Sequence, residues 1–73
     1  MIEINNEIWE TYRGQLVKIN RVFNTIDIHG SLKNENEWIP ATLLDYDTGK
    51  GEFKFEIEGN IEFCNPYMIF LTK

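Results

Sequence analysis

The strictest pattern in the chain is a seven-residue alternation, Glu52-Phe53-Lys54-Phe55-Glu56-Ile57-Glu58, in which three apolar residues alternate with four charged ones. Successive side chains of an extended strand point to opposite faces, so the pattern predicts a strand with one buried and one solvated face. The flanking segments Asp47–Gly51 and Gly59-Asn60 contain glycine and predict tight turns. A half-buried strand between two turns needs neighbouring strands, so the chain is expected to form a small β fold.

The segment Trp38–Asp47 predicts the preceding strand of the same hairpin. Its compact apolar residues are expected to face the core: Ile39, Ala41 and Leu43. The opposite set is amphipathic and carries two aromatic rings: Trp38, Pro40, Thr42, Leu44 and Tyr46. Because aromatic side chains anchor many interfaces, we predict that this second face binds a partner. In the alternative interpretation, Trp38 and the rings of Phe53, Phe55 and Phe63 complete the core instead.

Alternation also predicts strands within residues 15–28, 61–64 and 67–71, whereas residues 33–37 predict a polar loop. Near the N-terminus, Asn5 or Asn6 can cap a short helix that stops at Gly14. The competing interpretation is a strand over residues 2–4 that turns at Asn5-Asn6. Short strands joined by tight turns favour a mainly β, five-stranded, partly open barrel.

Length and composition are consistent with one domain over residues 1–73. Residues 1–13 are expected to form an N-terminal extension or short helix, and residues 14–71 the barrel. A hydrophobic content of 42%, with 14% aromatic residues, excludes a disordered chain. Cys64 is the single cysteine and excludes an internal disulfide. No apolar run reaches membrane length and the first residues lack a signal-peptide pattern, so we expect a cytoplasmic protein without a membrane partner.

The net charge of -5 is unevenly distributed. Four of the seven basic residues lie between residues 11 and 33: Arg13, Lys18, Arg21 and Lys33. If folding gathers them on one edge, they predict a nucleic-acid contact, although an acidic chain neutralises phosphates poorly. Eight of the twelve acidic residues lie between residues 34 and 62 and suggest the opposite alternative, an acidic mimic of DNA. A solvated, solubilising surface accounts for the same charges without a partner.

Residues suited to catalysis or metal binding are sparse. His29 is the single histidine, and we expect it to lie at a strand end rather than pair with the Cys64 thiol. Asp45-x-Asp47-x-Gly49 begins like a calcium loop but continues with Lys50 and lacks the distal glutamate at the required position, so it predicts a turn. The sequence therefore predicts no enzyme activity, no metal and no cofactor.

Two short motifs resemble those of known small barrels. Trp38-Ile39-Pro40-Ala41 resembles the start of the third strand in Src-homology-3 (SH3) and Tudor domains. Cys64-Asn65-Pro66-Tyr67-Met68 resembles the turn before the last strand of SH3 domains, and the resemblance covers Gly14 to Leu71. It implies an SH3-like or Tudor-like barrel. The SH3 Ala-Leu-Tyr-Asp-Tyr segment is absent, and no proline precedes Asn65 in the closing turn.

The resemblance also implies two kinds of ligand. In SH3 domains the corresponding Trp and Tyr line a groove for proline-rich peptides, which here implicates Trp38 and Tyr67. In Tudor domains an aromatic cage holds methylated Lys or Arg by cation–π attraction, and Trp38, Tyr46 and Tyr67 are the candidate rings.

The sequence as a whole favours a small non-enzymatic protein-binding module that contacts its partner through Trp38, Pro40, Leu44, Tyr46 and Tyr67. A free-standing module of this size would suit a phage- or mobile-element-encoded regulator or inhibitor of a host protein. Nucleic-acid binding and DNA mimicry are the alternatives. A homodimer is a further expectation, because a small open barrel leaves strand edges that pair readily.

Overall fold

The computed structural model describes residues 2–72 and contains five antiparallel strands in a single sheet. The strands are β1 (Leu16–Ile26), β2 (Leu32–Asp47), β3 (Glu52–Ile57), β4 (Asn60–Cys64) and β5 (Met68–Leu71). Their order across the sheet is β4-β3-β2-β1-β5, and the sheet does not close on itself. The prediction of a mainly β, five-stranded, partly open architecture is therefore confirmed.

The core lies on one face of this curled sheet. Its apolar residues come from the N-terminal segment and from every strand except β4: Ile4, Val17, Ile19, Ala41, Leu43, Phe53, Phe55, Ile57 and Ile69. Phe55 is the largest of the side chains that are completely removed from solvent. The alternation in Glu52–Glu58 predicted this arrangement, because all three of its apolar residues are buried.

The predicted N-terminal helix forms only as one turn of 3-10 helix, Trp9–Tyr12. Asn5 accepts hydrogen bonds on Oδ1 from the backbone N–H groups of Glu7 and Ile8, at 2.8 and 3.2 Å, which makes a turn before the helix. Upstream, Glu3 forms an isolated β-bridge with Phe70. Both sequence interpretations are therefore partly correct, because so short a helix cannot propagate once the preceding residues pair with β5.

The polar loop predicted for residues 33–37 is wrong, because β2 begins at Leu32 and this segment pairs with β1. Trp38 consequently lies within the second strand. The motif resemblance had placed it at the start of a third strand, which is wrong. Pro40 pairs with Lys18 of β1, and β3 joins the other side of β2 only at Thr42. The missing N–H of Pro40 therefore costs no ladder bond to β3.

A β-bulge at Leu44 changes which side chains of β2 face the core. Leu43 pairs with Phe55 and Asp45 pairs with Lys54, so Leu44 is the extra residue. A one-residue shift reverses the faces of all residues beyond it. Tyr46 therefore lies on the core face, opposite Phe53, whereas the regular alternation placed it beside Trp38 on the outer face.

The hairpin of β1 and β2 extends well beyond the rest of the sheet. β5 pairs with β1 only over residues 17–20, and β3 pairs with β2 only from Thr42 onward. Residues 21–37, which we call the arm, therefore form a two-stranded ribbon closed by the loop Asp27–Ser31. In this loop Asp27 accepts hydrogen bonds on Oδ1 from the N–H groups of His29 and Ser31, at 2.8 and 2.9 Å. The arm contributes to the elongated shape of 45 × 30 × 23 Å.

Candidate functional site

A cleft of about 400 Å³ opens where three separate segments meet. They are the N-terminal segment, the connection from β2 to β3, and the connection from β4 to β5. Its lining residues are Glu3, Ile4, Asn5, Asn6, Tyr46, Gly51, Phe53, Asn65, Pro66, Tyr67, Met68 and Ile69. We call it the Tyr46–Tyr67 cleft. Among the lining residues Glu3 carries the only charge, and three asparagines supply amide groups that both donate and accept hydrogen bonds.

Two other aromatic rings lie close to Tyr46 in the cleft wall. Its ring centroid lies 4.5 Å from that of Phe53 and 6.3 Å from that of Trp9. The Arg13 guanidinium stacks 4.7 Å above the Trp9 ring and approaches Asp45 at 3.6 Å. The contacts with Phe53 and Trp9 restrict the rotamers open to Tyr46. A side chain restricted in advance loses less entropy on binding a ligand.

Tyr67 has a different environment, because 73% of its surface is exposed. It follows Pro66 in the connection between β4 and β5, and its backbone N–H donates to the Asn20 carbonyl at 2.9 Å. The backbone is thus anchored while the ring is free to contact a ligand. An exposed ring beside a pre-positioned one is an arrangement that suits an apolar or proline-containing peptide segment.

The structure separates the five predicted partner-binding residues. Tyr46 and Tyr67 line the same cleft. Trp38 and Pro40 lie on the outer face of the sheet, where the Trp38 ring is 46% exposed and its centroid lies 5.5 Å from that of Phe70. Leu44 is the bulge residue between the two places. The three rings proposed for an aromatic cage do not converge on one cleft, because Trp38 does not line it.

The alternative in which rings complete the core holds for two of the four aromatic residues. Phe53 and Phe55 are buried, whereas Phe63 is 56% exposed on the outer face and its ring centroid lies 5.9 Å from the Lys54 ammonium. The two-residue turn at the end of β3 sets this register, because it places Glu62 opposite Phe55 and points Phe63 outward. Trp38, with nearly half of its surface in solvent, is not a core residue.

The four predicted nucleic-acid contacts are distributed over both faces of the sheet. Lys18 is opposite Pro40 on the outer face, whereas Arg21 and Lys33 lie on the inner face of β1 and the arm. Arg13 approaches Glu10 and Asp45, at 3.7 and 3.6 Å. Arg21 is bonded to Glu37 and Glu62. Two of the four positive charges are thus already neutralised by carboxylates of the same chain.

Arg21 connects three strands over the open side of the core. Its Nη2 atom lies 3.1 Å from Oε1 of Glu37, and its Nη1 atom lies 3.2 Å from Oε1 of Glu62. The hydrogen bond to Glu37 raises the pKa of Arg21 above its ordinary value.

In the neighbouring part of β4, burial raises the pKa of the Cys64 thiol, so this side chain stays protonated at neutral pH and is a poor nucleophile.

The sequence interpretation missed the polar part of the cleft and the exposed residues of the arm. Asn5 and Asn6 come from a segment that predicted a helix, Glu3 from the competing strand, and Asn65 from the break before the last strand. Nothing in the sequence indicated that these residues would line one cleft. In the arm, Val22, Ile26 and Leu32 are 56%, 72% and 71% exposed. The alternation predicted Val22 and Ile26 to be strand residues of the barrel. It did not show that the other strands stop short of them and leave them exposed.

Comparisons with protein-family models, with curated proteins and with solved structures returned no match. Within residues 2–72, no helix has the length and apolar character needed to cross a membrane.

Proposed function

We propose that this chain is a small non-enzymatic protein-binding module that holds an extended peptide segment of its partner in the Tyr46–Tyr67 cleft. The observation that carries the proposal is the convergence of two tyrosines, 21 positions apart in sequence, on one cleft with asparagine amides along its wall. Rings can contact apolar side chains of the peptide, and amides can pair with its backbone.

The resemblance to SH3 domains supports a proline-containing ligand. Asn65-Pro66-Tyr67-Met68 precedes the last strand here, as its counterpart does in that family, and Tyr67 lines the cleft. The second residue that the resemblance implicated, Trp38, lies elsewhere, so Tyr46 and Phe53 take its place in this proposal. The five-stranded, unclosed sheet is compatible with an SH3-like barrel.

Selection of peptides from a random displayed library, followed by Kd measurements on the selected peptides, tests the proposal. We expect enrichment of proline-containing sequences, and Tyr67→Ala should weaken binding about tenfold or more, as the loss of an interface anchor does. Trp38→Ala is the matched control, because it removes a half-exposed aromatic ring outside the cleft. Equal losses in both variants, or a loss in Trp38→Ala alone, would contradict the cleft as the binding site.

A further inference from the structure

The outer face of the arm carries no charge. Side chains of directly opposed residues share a face of an antiparallel ribbon, and the outer face combines the pairs Asn20–Trp38, Val22–Asn36, Asn24–Asn34 and Ile26–Leu32. The inner face of the same ribbon combines Arg21–Glu37, Phe23–Glu35 and Thr25–Lys33, and so carries four charges. Asn20 is buried, so the exposed part of this face has seven residues, and none of them is charged. A quarter of all residues in this chain are charged, so such a face is unusual for this surface.

The outer face is also strongly apolar where it is most exposed. Ile26 and Leu32 oppose each other near the end of the arm and are 72% and 71% exposed, and Ile28 in the loop is 95% exposed. Trp38 at the base of the arm extends the same face toward Phe70. The Asn24–Asn34 pair lies between Ile26–Leu32 and Val22, so the face mixes apolar and amide groups. Exposed apolar residues grouped on an uncharged face mark an interaction site.

We propose that the outer face of the arm and of its base, the pair Asn20–Trp38, binds a second copy of this chain, face to face across a two-fold axis; the face covers residues 20–26 and 32–38. The charge distribution selects this occupant. Two copies that each carry a net charge of -5 repel each other, and an uncharged face is where they can meet without opposing like charges. This dimer surface does not depend on the peptide-binding proposal, and only its base lies beside the cleft, where Asn20 pairs with the cleft residue Met68.

The asparagines of this face are self-complementary. Each amide is both a donor and an acceptor, so Asn24, Asn34 and Asn36 of one copy can pair with those of the other, as an isologous interface requires. A nucleic acid fits this face less well, because the face has no cationic side chain to neutralise phosphate. The apolar pair Ile26–Leu32 would lie against the same pair or the Trp38 region of the second copy.

The size of the face sets the expected affinity. Seven residues on each of two strands cover roughly 23 by 10 Å, from the rise and spacing of β-strands. Standard interfaces cover about 800 Å² on each partner, which is more than this ribbon alone supplies. We therefore expect a weak dimer, with a Kd on the order of 10–100 µM.

Sedimentation equilibrium of the full chain from about 10 µM to about 1 mM, a range that brackets this Kd, tests the proposal. Ile26→Lys should weaken dimerisation about tenfold or more, because it places two like charges at the contact. Thr25→Lys is the control, since it adds the same charge one residue away on the inner face and should dimerise like the parent. Circular dichroism and thermal melts establish that both variants fold.

A parent chain that stays monomeric up to about 1 mM overturns the proposal. Equal effects of Ile26→Lys and Thr25→Lys on the dimer Kd also overturn it. Binding of duplex DNA by a monomeric parent, abolished by Ile26→Lys, would assign the face to nucleic acid instead. Tyr46→Ala separates this proposal from the previous one, because Tyr67 is bonded through its N–H to Asn20 at the base of the arm and is too close to the face to serve. Tyr46 is nine residues from the base of the arm along β2, roughly 30 Å, so loss of the cleft should leave dimerisation unchanged.

Discussion

Of all the core side chains, Phe55 is the one whose truncation should lower the free energy of unfolding most. It is completely buried, faces Leu43 across the β2–β3 ladder and lies 6.0 Å from Phe53, centroid to centroid. Truncation of a buried phenylalanine removes its transfer free energy and leaves a cavity. In a chain of 73 residues, that loss approaches the whole free energy of unfolding.

Phe55→Ala should therefore lower the free energy of unfolding by about 3–5 kcal/mol. Trp38→Ala is the comparison, because it removes a larger ring of which 46% is already exposed, and it should cost less than half as much. Urea denaturation of both variants measures the difference. Equal costs would show that Trp38 belongs to the core.

The β3–β4 hairpin contains a backbone conformation that its sequence does not favour. Glu58 and Gly59 form the two-residue loop between Ile57 and Asn60, and both have positive φ, at 51° and 83°. Two positive values in a two-residue loop are typical of a type I′ turn, which favours Asn-Gly. The sequence predicted the turn at Gly59-Asn60, one residue later, because that pair matches the signature of a two-residue hairpin loop. The register of the strands overrides that preference.

Glu58→Asn should raise the free energy of unfolding by about 0.5–1 kcal/mol, because asparagine tolerates the left-handed region that strains glutamate. Glu58→Gln removes the same charge and keeps the strained backbone, so it should leave stability nearly unchanged. Thermal unfolding of the two variants separates the conformational effect from the electrostatic one. A similar gain in both would mean that charge repulsion, and not φ, limits the parent.

How well each element can be predicted depends on whether its faces differ. In β3 one face is buried and the other solvated, and the alternation identified both the strand and its core residues. In the arm both faces reach solvent, so the segment Lys33–Glu37 shows no alternation of apolar and polar residues and was predicted to be a loop. The bulge at Leu44 has no sequence signal either, and it is what moves Tyr46 away from Trp38 and into the cleft.

The sheet as a whole is curled far enough to bring its first and fourth strands together. β1 and β4 are separated by β2 and β3, which in a flat sheet would place them roughly 14 Å apart. The Arg21 and Glu62 side chains nevertheless meet at 3.2 Å. This ion pair, with Glu37 on the other guanidinium nitrogen, spans the opening that the unclosed sheet leaves beside the core.

A double-mutant cycle with Arg21→Gln and Glu62→Gln should give a coupling energy of about 0.2–1 kcal/mol, because both side chains are more than a third exposed and water screens the pair. The coupling should shrink at about 1 M NaCl. Glu56→Gln is the control, since Glu56 faces outward on β3 and should combine additively with Arg21→Gln. Chemical denaturation of the four chains in each cycle gives the free energies of unfolding. A coupling energy of zero in low salt would show that the Arg21–Glu62 ion pair does not stabilise the fold.

The pairing of the N-terminal segment with β5 has a consequence for the topology of the chain. The Ile2 carbonyl accepts the Leu71 N–H at 2.9 Å, and Ile4 donates to the Ile69 carbonyl at 2.8 Å. The ends of the described chain therefore lie side by side, about eleven residues of β1 away from the tip of the arm. A short linker could join them into a circular permutant opened at His29-Gly30, which would keep all five strands and turn the arm into two free ends.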